Sequence, residues 1–362
     1  MKLVIAAGGT GGHIYPGLAI AKTLTQKNNE NKILFIGSDI GHEKDIITRE
    51  GYEINVVKSR KIVRKFTINN IFAVFNVPIS IFQCLLVFNK FRPDAVFVTG
   101  GYVALPAAIC GKIFKIPVIL HEQNVPPGLT IKVLTLIASK ICLSWDESLK
   151  YFHSNKAIVT GNPVRNEFLH TNKEQARKDL SLDVNKKTIL VFGGSQGAKT
   201  INETVAKIAA EICKNNKVQI LHIIGNRDFG AFTKTLNQNI AGYFPIEYMH
   251  NIWQGFAAAD IVVCRAGATT LSEIAAMSIP SILIPFPYSA EGHQDLNAKI
   301  FFDIGASRII KNNNLSPDIL LSIMDELINS DDMLKQMGSK AKMLARTSAS
   351  EKIVEVISSE IS

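Results

Sequence analysis

Residues 6–17 read AAGGTGGHIYPG, with four glycines between Gly8 and Gly12 and a histidine, His13, directly after them. Histidine's ordinary pKa lies near neutrality, so His13 at the mouth of such a turn is suited to take a proton from a reacting group. Bare backbone beside it offers N–H groups, and a helix that starts there adds the positive end of its dipole. Both favour an anionic or strongly polar ligand. Three further stretches carry comparable chemistry. GGSQG (193–197) repeats the glycine turn and adds the Ser195 hydroxyl. HEQN (His121–Asn124) sets four polar residues in a row at the end of an apolar run. CRAGATTLSE (Cys264–Glu273) brings the hydroxyls of Thr269, Thr270 and Ser272 and the carboxylate of Glu273 to another run's end. A carboxylate can accept two hydrogen bonds from a diol. For Glu273, a capping-box role in the first turn of a helix stands beside that reading.

Spacing excludes two familiar phosphate loops. The dinucleotide fingerprint needs glycines at i, i+2 and i+5, and neither glycine turn supplies all three. GGSQGAKT places Ala198 between Gly197 and Lys199, so the GK[ST] ending of a nucleotide-triphosphatase loop is absent. No HExxH or other His/Cys ligand spacing occurs, and His121-Glu122 has no second histidine one turn on, so no metal and no cofactor is expected. The five cysteines are scattered without a CxxC pair, as in the reduced core of a cytosolic protein. The chain enters a strand at once, with no signal peptide expected. A net charge of +9 calls for an acidic partner: nucleic acid, anionic lipid or a phosphorylated substrate. No RNA-binding or zinc-finger pattern accompanies it, and the charge clusters beside apolar residues, which argues against nucleic acid.

These residues need elements to hold them. KLVIA (Lys2–Ala6) is a short apolar run and reads as a buried strand; PGLAIAKTL (Pro16–Leu24) reads as a helix with Pro16 at its first position. ILVFGGSQGAKTINETVA (Ile189–Ala206) repeats that plan of strand, glycine turn and helix. Runs such as KILFIGS, DAVFVTGG and PVILHEQ alternate with helical stretches, and VQILHIIG, DIVVCRAG and SILIPFP do so in the second half. The pattern is α/β: two Rossmann-like domains with mainly parallel sheets, ligands at the carboxyl ends of the strands, facing across a cleft. The boundaries expected are 1–161 and 162–344, joined near GNPVR (Gly161–Arg165), with a helix over about 345–362 able to pack back on the first domain. Phe66–Asn89 is uncharged, yet a span there would separate two strands of one sheet. A helix covering the sheet is expected instead, with Arg60, Lys61, Arg64 and Lys65 beside it suited to an anionic membrane surface. Phe72 and Phe75 would add burial in that interface.

GGTGGHIYPGLAIA, GGYVALP, HEQN, GNPVR, GGSQGA, RAGATTLSE and HQDLNA stand in the order seen in the MurG family, which the chain resembles from Gly8 to about Ser307. The resemblance implies a GT-B fold and an inverting transfer of GlcNAc from UDP-GlcNAc to the 4-hydroxyl of MurNAc in undecaprenyl-pyrophosphoryl-MurNAc-pentapeptide. It also implies a peripheral enzyme on the cytoplasmic face of the cell membrane. The first domain would face acceptor and membrane, and the second would bind UDP-GlcNAc. In the first, Thr10, Gly11 and Gly12 would lie against the donor diphosphate or the acceptor pyrophosphate. His13 would be the base, Glu122 a rival base or a partner for His13, Asn124 an orienting residue and His121 structural. Arg165 and Ser195 would meet the leaving diphosphate. Ile246 would present backbone to uracil, Ala268, Thr269, Thr270, Leu271 and Ser272 would line the nucleotide, Glu273 would hold the ribose, and Gln294 the sugar hydroxyls. Another UDP-sugar transferase of this architecture, acting on a different lipid acceptor, is the alternative.

Overall fold

Short, mainly apolar runs rich in β-branched residues form the strands of two separate parallel sheets, and the helices between them carry the crossovers. The computed structural model describes residues 1–40, 43–59, 68–153, 155–194, 196–214, 216–235 and 240–361; the side chains of 68–75 and of 235 are not among them. The chain divides into one unit of residues 1–165 with 346–362 and a second of residues 166–345.

In the first unit the strands are β1 (Lys2–Ala7), β2 (Lys32–Ser38), β3 (Glu53–Val57), β4 (Ala95–Gly100), β5 (Val118–Glu122), β6 (Lys140–Leu143) and β7 (Ala157–Val159). They lie in the order β3-β2-β1-β4-β5-β6-β7. The order reverses between β1 and β4, and a doubly wound sheet opens its ligand crevice at such a switch point. β1 pairs in register with β2 and β4 (Val4 with Leu34 and Val96), and its side chains from Leu3 to Ala7 are fully buried. The helix Ala349–Ile361 adds Ile353, Val354 and Ile357 to the core formed by Leu3, Ile5 and Leu18. Each such side chain stabilises the unit by about 1.5–3 kcal/mol.

The helix after β1 runs Gly11–Lys27 and takes in Gly11, Gly12 and His13; Pro16 is its sixth residue, not its first. Proline is tolerated there because only one rung near the helix start, Pro16 to Gly12, is lost. The helix Ile68–Phe91 covers the sheet, with Ser80, Cys84 and Phe88 buried at four-residue spacing. Its opposite face exposes Ile79, Phe82 and Leu86. Among the described residues, no helix is long and apolar enough to cross a membrane.

The second unit has β8 (Lys187–Phe192), β9 (Val218–Ile223), β10 (Tyr243–Ile246), β11 (Ile261–Cys264), β12 (Ser281–Leu283) and β13 (Ser307–Ile309). Their order, β10-β9-β8-β11-β12-β13, repeats the first unit's plan, with the switch between β8 and β11. The glycine turn at 193–197 and the segment 265–273 leave the sheet on either side of that switch.

Candidate functional site

At the first switch point the imidazole of His13 meets the end of β4. Its Nδ1 lies 2.9 Å from the carbonyl of Thr99 and 3.0 Å from Oε1 of Gln123. Both partners accept, so Nδ1 carries the proton and Nε2 keeps its lone pair; no described residue hydrogen-bonds Nε2. Burial, partly offset by those two hydrogen bonds, pushes the His13 pKa below the ordinary histidine value. Gly100, at φ +121°, makes room: a Cβ there would stand 2.7 Å from the ring. The Thr99 hydroxyl donates to the His13 carbonyl at 2.8 Å and ties the helix start to β4.

Gln123 is the pivot of a buried polar chain. Its NH2 group donates to Thr99 O (2.7 Å) and to Nδ1 of His121 (3.0 Å), and His121 Nε2 reaches Gly161 O at 3.2 Å. Burial holds His121 down to about 4, so it stays neutral and acts in the framework. Glu122 turns away from this chain. Its Oε1 accepts from Asn124 N (2.9 Å) and Asn124 Nδ2 (3.1 Å), and its Oε2 from Gly128 N (2.9 Å). Burial raises its pKa while those N–H groups pull it back. The partner of His13 in this motif is therefore Gln123, and the Glu122 carboxylate closes the loop 122–128. Thr10 is the exposed N-cap of the helix, and its carbonyl accepts from His13 N and Ile14 N. Arg165 is buried, its guanidinium 4.2 Å above the Tyr15 ring, on the helix that also carries Gly11 and Gly12.

In the second unit the glycine turn packs backbone to backbone on the end of β9. A Cβ on Gly197 would collide with Ile224 O at 2.1 Å, and one on Gly225 with Gly197 N at 2.3 Å. A buried brace sets this contact. Asn202, on the helix Lys199–Cys213 that follows the turn, donates from Nδ2 to Ile224 O at 3.0 Å. Its Oδ1 therefore accepts from His222 Nε2 (3.2 Å), and His222 Nδ1 accepts from the Tyr243 hydroxyl (2.8 Å). Burial holds His222 at about 3.

The other predicted residues of this unit fall as follows. Ala268, Thr269, Thr270, Leu271, Ser272 and Glu273 open the helix Ala268–Met277, whose N-cap is Gly267. Glu273 is the sixth residue of that helix, in its second turn, so the capping-box reading does not hold: the third position is Thr270. Its side chain is 6% exposed. The Ser272 hydroxyl donates back to Ala268 O at 3.0 Å. Ile246 ends β10, and its carbonyl accepts from Ile224 N at 2.9 Å, so that oxygen is shared with the ladder. Gln294 accepts the Phe286 N–H at 2.8 Å, which leaves its NH2 end for other partners. Ser195 lies outside the described residues, as do Arg60, Lys61, Arg64 and Lys65; the side chains of Phe72 and Phe75 do too.

Residue types and spacing gave no role to Thr99, Gln123, Asn202 or His222. The polar run His121–Asn124 was a signal for Gln123. His222 sits singly in an apolar run and Asn202 in a mixed helix sequence, and neither carries one.

A family model described as the glycosyltransferase family 28 N-terminal domain matches residues 3–143, and the family's C-terminal domain matches residues 188–355. The chain is 38% identical to a UDP-N-acetylglucosamine--N-acetylmuramyl-(pentapeptide) pyrophosphoryl-undecaprenol N-acetylglucosamine transferase of Acetivibrio thermocellus, covering 99% of this chain and 97% of that one. It is 35% identical to the Bacillus licheniformis protein of the same description, with 99% and 98% covered. Its fold resembles that of Acinetobacter baumannii MurG with a TM-score of 0.74 at 26% identity, covering 99% of each chain. A UDP-GlcNAc 2-epimerase of Neisseria meningitidis shares the fold at a TM-score of 0.70 and 15% identity, which extends the likeness of architecture alone. The two parallel-sheet units are of the GT-B type, and over nearly its whole length this chain belongs to the MurG family of N-acetylglucosamine transferases, within glycosyltransferase family 28.

Proposed function

We propose that this protein transfers GlcNAc from UDP-GlcNAc to the 4-hydroxyl of MurNAc in undecaprenyl-pyrophosphoryl-MurNAc-pentapeptide, with inversion at the anomeric carbon. The observation that carries this reading, beside the family, is the open Nε2 of His13. In the proposed step the acceptor oxygen forms a bond to C1, the bond from C1 to the diphosphate oxygen breaks, and the hydroxyl proton moves to Nε2. A base so placed is worth roughly 10²–10⁴ in rate. Gln123 and Thr99 keep the tautomer correct, and Glu122 with Asn124 shapes the loop beside it. Thr10, Gly11 and Gly12 line the acceptor side.

The second unit holds the donor. Its turn at Gly193–Gly197, with Ser195, meets the diphosphate as charge builds on it, and Arg165, the last residue of the first unit's main segment, supplies a guanidinium for an anionic ligand. Glu273 accepts from the ribose hydroxyls, Thr269 to Ser272 line the nucleotide, Ile246 meets the uracil, and Gln294 turns its NH2 to the sugar. The test is transfer of labelled GlcNAc from UDP-GlcNAc to a lipid-linked MurNAc acceptor. Absence of product across detergent conditions would end this reading.

The acceptor's lipid calls for a membrane-facing surface, and the first unit offers one. Ile79, Phe82 and Leu86 are exposed along one face of the helix Ile68–Phe91. The neighbouring helix ends in exposed Ile113 and Phe114, flanked by exposed Lys112 and Lys115. Apolar side chains ringed by lysine suit an anionic leaflet, each cation near it adding about 1 kcal/mol.

A further inference from the structure

Outside the residues used so far, the first unit holds one fully buried acid at its glycine turn. Glu43 begins the helix Glu43–Arg49 and is 0% exposed. Its Oε1 accepts the backbone N–H of Gly9 at 2.7 Å and the hydroxyl of Ser38 at 2.8 Å. Oε2 is buried as well and has no hydrogen-bond partner among the described residues. The helix Gly11–Lys27 has no acidic residue in its own first turn, and Thr10 makes no side-chain cap bond. Glu43 thus brings to this turn, from another element, the negative charge that a helix start attracts. Burial and, after it, the Glu43 carboxylate push the Tyr102 phenol above its ordinary range, so that ring stands in the same field. The Tyr102 ring also lies 3.6 Å from where a Gly9 Cβ would be.

The second unit's turn is finished differently. The Gly197 N–H bonds to Gly194 O within the turn itself. A carboxylate close by, Asp228, is held by both Nε (2.8 Å) and Nη2 (3.1 Å) of Arg227, and no described N–H of the turn donates to it.

The geometry points to Glu43 as the resident anion of the N-terminal glycine turn, a positioning residue that reserves Gly8–Gly12 for uncharged sugar groups and excludes phosphate. This rests on the transfer proposed above and assigns the acceptor's MurNAc hydroxyls and amide, not its pyrophosphate, to that turn. A carboxylate already bonded to Gly9 N–H occupies the donor that a phosphate oxygen would need, and it repels a second anion.

The experiment is glycine-selective ¹⁵N labelling of the full chain, titrated with inorganic pyrophosphate. Arg165 gives pyrophosphate another place to bind in this unit, so the reading is taken at the Gly9 amide and not from total affinity. In the wild type the Gly9 resonance stays fixed. In Glu43→Ala, with the N–H uncovered, pyrophosphate shifts it. A Gly9 resonance that moves in the wild type, or that stays fixed in the variant, overturns the proposal. Should Glu43→Ala not fold, Glu43→Leu carries the same test, since it removes both acceptor oxygens and keeps most of the buried volume. The outcome does not depend on turnover: failure to form product would sink the proposed transfer and leave the Gly9 result standing.

Discussion

Each unit contains a strand, a glycine turn and a helix in succession, yet the two turns are completed by different side chains. In the first, Glu43 covers Gly9 N–H and a neutral His13 keeps one nitrogen open. In the second, no described carboxylate takes a turn N–H, and a neutral His222 has both nitrogens engaged, by Asn202 and Tyr243. In the proposed reaction one backbone device serves two tasks. Proton transfer needs a lone pair left over, whereas holding a diphosphate needs N–H groups left over and everything around them fixed.

The sharpest way to break this comparison is to remove the open nitrogen. His13→Ala should cut kcat by roughly 10²–10⁴-fold and leave the affinity for UDP unchanged. Because burial lowers the His13 pKa, the active neutral form persists below the ordinary histidine range. The acidic limb of the wild-type kcat profile should then lie below about pH 6.5 and vanish in the variant. A retained limb would move the base to another group.

On the donor side the expectation reverses. Glu273→Ala should weaken UDP binding by about 1.5–3 kcal/mol, read by calorimetry, with kcat at saturating donor largely kept. A kcat loss matching that of the His13 variant, with donor affinity unchanged, would mean the two units do not divide the work in this way.

The framework histidines give a third, smaller effect. His121 at about 4 and His222 at about 3 stay neutral when folded but take up protons near pH 6.5 when unfolded. The unfolded state thus binds more protons as pH falls below about 6.5, and stability drops with pH through that window. Each histidine should contribute about 1.4 kcal/mol per pH unit, down to its own folded value. His222→Gln should remove one share of that slope in denaturant titrations; an unchanged slope would show that His222 is not buried neutral.

The smallest effect on chemistry is expected away from both turns. Phe82→Asp with Leu86→Asp should abolish flotation with anionic vesicles while transfer to a short-chain soluble acceptor changes by less than about twofold. Vesicle binding that survives would return this face to ordinary surface.

Much of this architecture was legible beforehand for local reasons. Buried β-branched runs make strands and clustered glycines make turns whatever lies elsewhere, so the two α/β units and the places of both turns follow from residue order. The start of the first helix was misread because Pro16 looks like a first residue, while the backbone goes helical at Gly11. A capping role for Glu273 stood beside ligand binding because its distance from the N-cap, Gly267, depends on where the helix begins.

The amino-acid order by itself determined which segments carry chemistry: His13 after its glycines, the polar run His121–Asn124, and Glu273 behind Thr269 and Thr270. Only the tertiary structure decided which partners each group meets. Gly9 and Glu43 are 34 positions apart, and His13 and Gln123 are 110 apart. Asn202 meets His222 across 20. Hydrogen bonds are directional and short-ranged, so these pairings exist only once strand order and register have brought the ends of β1, β4 and β5, or of β8 and β9, side by side. That geometry assigns one proton to Nδ1 of His13, another to Nε2 of His222, and a carboxylate to a turn whose own residues contain none.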